Sequence, residues 1–281
     1  MRWARNFGRC VRRCRKRGYT LPAGKRKSVA LRVQGISAPV EVRRHPGARR
    51  LTLRVSNTRR WVVVTLPEQC RMEEADRFLR SHIDWVRERL GSVPEPVPFV
   101  DGALIPLRGA MHRLRFIGPR SGGAVVRIVR AHGKPPTLEV AGRAEHAARR
   151  LTDWLLGQAR ADLEACVAKH TRALGVRVRR ICLRDQTTRW GSCSTSGLLS
   201  FSWRLILAPA HVLDYVAAHE VAHLREMNHG PKFWTLVSRL MPELETARRW
   251  LRRDGADLHR YGAVERSLPA AAPLKFQRTT I

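Results

Sequence analysis

Apolar residues change their spacing along this chain, and each change marks a change of element. From about residue 28 the pattern is strand-like. Leu51, Leu53 and Val55 alternate with polar positions, and Trp61-Val62-Val63-Val64 forms a β-branched run beyond the turn residues Ser56-Asn57-Thr58. Pro67 precedes a helical stretch to about Leu90, whose apolar positions are Ala75, Phe78, Leu79, Ile83, Trp85 and Val86. The proline-rich segment over residues 91–98 cannot continue a helix. Short strands are expected around Leu104–Leu107, His112–Ile117, Val125–Val129 and Thr137–Val140, with glycine- or proline-containing turns between them.

A long helix is predicted over about 143–173, with Leu151, Trp154, Leu155, Leu163, Cys166 and Val167 on its apolar stripe and Gly175 as its stop. A strand over Val176–Leu183 follows. Next comes a hairpin, with the turn Ser194-Thr195-Ser196-Gly197 and then Leu199, Phe201, Trp203 and Leu205 at period two. It feeds a helix that starts with Pro209 in its first turn and buries Leu213, Ala217, Val221 and Leu224. Asn228 and Gly230 are the stop signals of that helix. Two further helices, roughly 231–241 and 243–254, carry Phe233, Trp234, Leu236, Val237, Leu240, Trp250 and Leu251 and would roof it.

The 281 residues, 43% hydrophobic, are enough for one large domain or two small ones. No apolar run approaches the roughly 20 residues of a bilayer span, and no apolar segment follows the basic start as in a secretory signal. The expectation is a cytoplasmic protein. Six scattered cysteines without CxxC spacing fit reduced thiols rather than a disulfide framework. The net charge of +31 favours anionic partners, and residues 1–40 hold 12 Lys/Arg and no acidic residue. Residues 1–27 therefore read as a basic flexible arm through which nucleic acid would bind, and the Ala/Pro-rich residues 266–281 as a loose tail.

The chemistry concentrates in His219-Glu220-Val221-Ala222-His223, with His229 six residues further on. Residues four apart share a helix face, so His219 and His223 can bind one metal ion, and a turn after the helix would return His229 as third ligand. Three protein ligands leave one coordination position open, the arrangement of a catalytic zinc. Glu220, one residue round, is placed to hold and deprotonate a water there. Arg189, Trp190 and Arg204 lie close to the site in sequence. A core role for the tryptophan and carboxylate pairing for the arginines outweigh substrate contact. Tyr215 fits helix packing better than donation to a transition state. Asp185 and Asp214 are candidate carboxylates for orienting the ligand histidines.

Around this motif the run from Leu183 to Trp234 resembles the YgjP-like metallopeptidase family, a branch of compact zincins similar to SprT-like proteases. The resemblance lies in Thr188-Arg189-Trp190-Gly191-Ser192-Cys193, Ser202-Trp203-Arg204-Leu205, the segment from Asp214 to Leu224, Asn228-His229 and Phe233-Trp234. It extends upstream to the strands between Val40 and Pro67 and to the segment Phe99–Leu107. It implies zinc ligands at His219, His223 and His229 and a catalytic Glu220, the four residues that spacing alone selects. Metzincins share this histidine spacing, but position 226 is Glu where they carry glycine.

The expected fold is α+β: a β-rich N-terminal region over 28–141, then a zincin-like metallopeptidase domain over 142–265 with a small antiparallel sheet. The expected function is a zinc-dependent peptidase acting on peptide or protein substrates. The alternatives are a metal-dependent nucleotide or phosphoanhydride hydrolase, which the surrounding arginines would suit, and a nucleic-acid-associated protein with a structural zinc. Against the last stands Glu220, for which a closed zinc site has no use.

Overall fold

The computed structural model of the protein describes residues 9–13, 28–31, 33–56, 61–120 and 122–262. The chain divides between Glu95 and Pro96 into two compact units.

In the first unit, β1 (Arg9–Arg13), β2 (Ser28–Leu31), β3 (Val40–Arg44), β4 (Arg50–Ser56) and β5 (Trp61–Leu66) form one sheet in the order β1-β4-β5-β3-β2. All neighbours are antiparallel except β3 and β5. Burial alternates along β4 and β5 as the sequence pattern does, so Leu51, Leu53, Val55, Val62, Val64 and Leu66 share one face. That face is packed with Phe78 and Leu79 of α1 (Met72–Arg80) and Val86 and Leu90 of α2 (Ile83–Gly91).

The helical stretch expected to run unbroken to Leu90 is interrupted at Ser81-His82. The Ser81 hydroxyl and the His82 ring both hydrogen-bond the Phe78 carbonyl, and the His82 backbone N–H donates to Leu79 instead. Local side-chain bonds have displaced the helical one. Within the expected flexible arm, residues 9–13 form a strand paired to β4. The rest of that segment, on which the nucleic-acid expectation also rests, and the tail over 266–281 lie outside the described residues.

The second unit opens with β6 (Leu104–Leu107), β7 (Ala110–Phe116), β8 (Val126–Val129) and β9 (Thr137–Val140), a sheet ordered β6-β7-β9-β8. It shares its core with the helices that follow. Helix α3 (Ala147–Leu174) buries Leu151, Leu155, Ala159, Leu163 and Val167 at intervals of four, so that each shares a face with the next. Gly175 ends it in the left-handed conformation, φ 63°, which costs glycine nothing. β10 (Arg180–Arg184), β11 (Gly191–Cys193) and β12 (Leu198–Ser202) form a second sheet, ordered β10-β12-β11. β11 and β12 are the expected hairpin, and β10 joins β12 in parallel.

The alternation expected to reach Leu205 stops at Ser202. Residues 203–207 form a 3-10 turn in which all five side chains are buried, Arg204 included. Arg204 is drawn inward by Asp185 at 2.7 Å and by the carbonyls of Leu258 and Tyr261 at 3.2 and 2.6 Å. A fully buried turn has no polar face, so period two cannot persist through it. Helix α4 (Ala210–Ala222) follows, with Pro209 at its N-cap, and is buried nearly all round. Helices α5 (Pro231–Leu240) and α6 (Leu244–Arg253) pack on it. Among the described residues no helix is long and apolar enough to cross a membrane.

Candidate metal centre

Helix α4 ends at Ala222, and the chain turns through residues 223–230 before α5 begins. The turn carries His229 back to the two helical histidines. One ligand nitrogen from each of His219, His223 and His229 lies within 4.8 Å of the others, and the Nε2 atoms of His219 and His229 are 3.1 Å apart. His219 and His223 are buried and His229 is exposed, so the cluster faces outward on one side.

The ring protonation follows from the partners. The Nδ1 of His223 lies 3.1 Å from the Glu226 carbonyl. A carbonyl only accepts, so Nδ1 carries the proton and the Nε2 lone pair remains for a cation. Burial drives the His219 pKa down to about 3, assisted by His223, His229 and Arg248. Burial also lowers the other two. Three neutral imidazoles with converging nitrogens are the donor set of a divalent transition metal such as zinc.

Phe233, the third residue of α5, braces this group. Its ring lies 4.9, 4.5 and 4.7 Å from those of His219, His223 and His229. Trp234 follows at 5.9 Å from His219 and 6.0 Å from His229. The Arg248 guanidinium of α6 stands 4.7 Å over the Trp234 ring. Aromatic rings packed this closely limit the rotamers open to the three imidazoles.

Glu220 is buried beside the trio, and desolvation raises its pKa to about 8 against the opposing charge of Arg189. Strand β11 lies directly over it. A Cβ built on Gly191 would sit 2.5 Å from Glu220 Oε1, so only glycine lets the strand approach this closely. The neighbouring Cys193 thiol is pushed up to about 11 by burial and by Glu220. No local pattern in the sequence announces this strand–helix contact, which spans 29 positions.

The other residues singled out by sequence lie elsewhere. Trp190 stacks on His259 with centroids 5.0 Å apart, a packing role. Arg204 pairs with Asp185, so Asp185 orients no ligand histidine. Asp214 is also turned away from the trio: it accepts from His170 Nε2 at 2.5 Å and Lys169 Nζ at 2.8 Å, fastening α4 to α3. Tyr215 is buried with its ring 6.0 Å from that of His219, as a packing residue on the same helix face. Arg189 stays exposed, its Nε donating to Gln186 at 3.1 Å.

Among curated proteins, none matches the chain. A similar solved structure is the crystal structure of the metallopeptidase zymogen of Pyrococcus abyssi abylysin. It is 21% identical over 35% of this chain and 97% of its own, with a TM-score of 0.31. The family model described as YgjP-like, metallopeptidase domain, matches residues 49–254 and so spans both units and every residue of the histidine–glutamate cluster. This chain belongs to the YgjP-like metallopeptidase family.

Proposed function

We propose that the protein is a zinc-dependent peptidase with His219, His223 and His229 as the metal ligands and Glu220 as general base. The observation that carries this reading is the convergence of three imidazole nitrogens within 4.8 Å beside a buried carboxylate, in a chain of a metallopeptidase family. The three histidines offer neutral nitrogen donors and leave one coordination position to water or substrate. A zinc ion held by His219, His223 and His229 would supply Lewis acidity and lower the pKa of a water beside Glu220. Burial raises the Glu220 pKa to about 8, and a cation held by the histidines would lower it and keep the carboxylate ionised, so that it takes the proton of the water and passes it to the leaving amine. Gly191 holds the carboxylate against the helix, and Arg189 keeps a positive charge near it.

The substrate is proposed to add as a strand to β11, the edge of its sheet among the described residues, since backbone pairing there lays a peptide across Glu220. Glu220→Gln should keep one equivalent of zinc and lose hydrolysis of unfolded protein, whereas His219→Ala should lose the zinc. Full metal content in the His219 variant would overturn the ligand assignment.

A further inference from the structure

A pocket of about 450 Å³ opens beside His223, at the end of β11 away from Gly191. Its polar lining comes from three separate segments: Arg177 after α3, the turn residues Ser194, Thr195 and Ser196, and Arg225 after α4. Arg177 and Arg225 are exposed, and among the described residues neither is paired with a carboxylate. That separates them from Arg108, Arg127 and Arg204, which each hold an acidic partner within 2.7 Å. The pocket therefore presents two guanidinium groups without a carboxylate partner and the Thr195 hydroxyl, beside Ser194 and Ser196 whose hydroxyls are bonded to each other at 2.9 Å, with a metal-cluster histidine in its wall.

The register of β11 gives the pocket its place along a substrate. Gly191 lies against the Glu220 carboxylate, and Ser194 lines the pocket three residues later. At about 3.3 Å per residue this is about 10 Å of extended chain. A peptide paired with β11 would place a side chain in the pocket two to three residues from the bond over Glu220.

We infer that this pocket is a side-chain subsite for an aspartate or glutamate of an extended peptide substrate, an assignment that rests on the peptidase reading above. Arginine matches carboxylate in fork geometry, and the Thr195 hydroxyl is placed to donate to an oxygen that remains. One charge-assisted contact of this kind corresponds to about a tenfold preference.

Two measurements test this. In the first, zinc-loaded protein digests a random peptide library and the cut positions are sequenced. Acidic residues should be enriched about tenfold at one position, two to three residues from the cut. The double reversal Arg177→Glu/Arg225→Glu should move that preference to Lys and Arg with zinc content unchanged. In the second, the full-length Glu220→Gln protein, zinc-loaded, is titrated with fluorescent acidic peptides at 150 mM salt. Its affinity should fall about tenfold or more on adding the Arg177/Arg225 reversal. It should change little on adding Arg143→Glu/Arg149→Glu, an equal charge change at two highly exposed positions that do not line the pocket. Cut sites without acidic preference, or equal loss of binding in both reversals, overturn the subsite. Absence of cutting by every zinc-loaded form overturns the peptidase reading instead, and the binding series then decides the pocket alone.

Discussion

The contact between Gly191 and Glu220 can be tested by adding one methyl group. The backbone of Gly191 lies outside the positive-φ region, so Gly191→Ala introduces no backbone strain, and its whole effect falls on Glu220. The new Cβ would lie 2.5 Å from Oε1, 2.6 Å from Cγ and 2.8 Å from Cδ. Carbon contacts settle at about 3.5–4.0 Å, so the carboxylate must retreat by about 1 Å. Glu220 is only 5% exposed, so its displacement must be taken up within the protein. Overpacking of this size costs about 1–3 kcal/mol of stability. A catalytic group displaced by about 1 Å loses about a hundredfold in rate, or about 2.7 kcal/mol of barrier. The assay is kcat on a fluorogenic peptide with zinc stoichiometry measured in parallel, and denaturant unfolding of the same protein. The zinc content should stay at one, because no ligand nitrogen is touched. The control is the cycle with Glu220→Ala: once the side chain is removed, the alanine at 191 should cost less than about 0.5 kcal/mol. An equal cost in both backgrounds, or full activity of Gly191→Ala, would show that Glu220 does not depend on the missing side chain at 191.

Three further outcomes follow from the same geometry. Zinc at a thousandfold excess over its Kd should stabilise the protein by about 4 kcal/mol, seen as a melting point about ten degrees higher than in chelator; an unchanged melting point in His219→Ala confirms the ligand origin. Asp214→Asn should cost about 2 kcal/mol at pH 7 by unfolding titration, because bonds from His170 and Lys169 outweigh burial and hold the carboxyl at about 2, below its ordinary 3.8. A depressed carboxylate stabilises above its unfolded pKa, so the gap between wild type and variant should be constant above about pH 4 and close as pH falls toward 2; a gap that persists at pH 2 would exclude the linkage. Arg204→Lys keeps the charge but cannot reach Asp185 and the carbonyls of Leu258 and Tyr261 together, and should cost about 2 kcal/mol in the same titration.

Periodicity carried most of the architecture because most elements here are amphipathic with one partner face. Helix α3 has buried residues every fourth position, and β4 and β5 alternate cleanly, so their type and approximate span are readable without tertiary information. Helices α5 and α6 fall within a residue of the expected 231–241 and 243–254. Periodicity misleads where a side chain bonds its own backbone or where polarity and burial part company. Ser81 and His82 break a helix whose apolar spacing continues unperturbed through them. Arg204 occupies a position that alternation assigns to the polar face, yet it is buried because three acceptors converge on it from segments 19 to 57 residues away.

The candidate site divides along the same line. The spacing of His219, His223 and His229 is a statement about one helix and the turn after it, so the sequence is sufficient to bring the three to one place. What surrounds them depends on contacts between distant elements. Phe233 was legible only as a core residue, although its ring touches all three histidines. Asp214, five residues before His219, reads as a partner for the ligands, yet a straight helix turns position 214 by about 140° from position 219, toward α3. His170 and Lys169 meet it there. Arg177 and Arg225 are 48 positions apart and share a pocket only because Gly175 ends α3 close to the end of α4. A local motif of this kind places the three histidines together, while the groups around them, Phe233 and Glu220's neighbour Gly191 among them, are set by the fold and appear only in three dimensions.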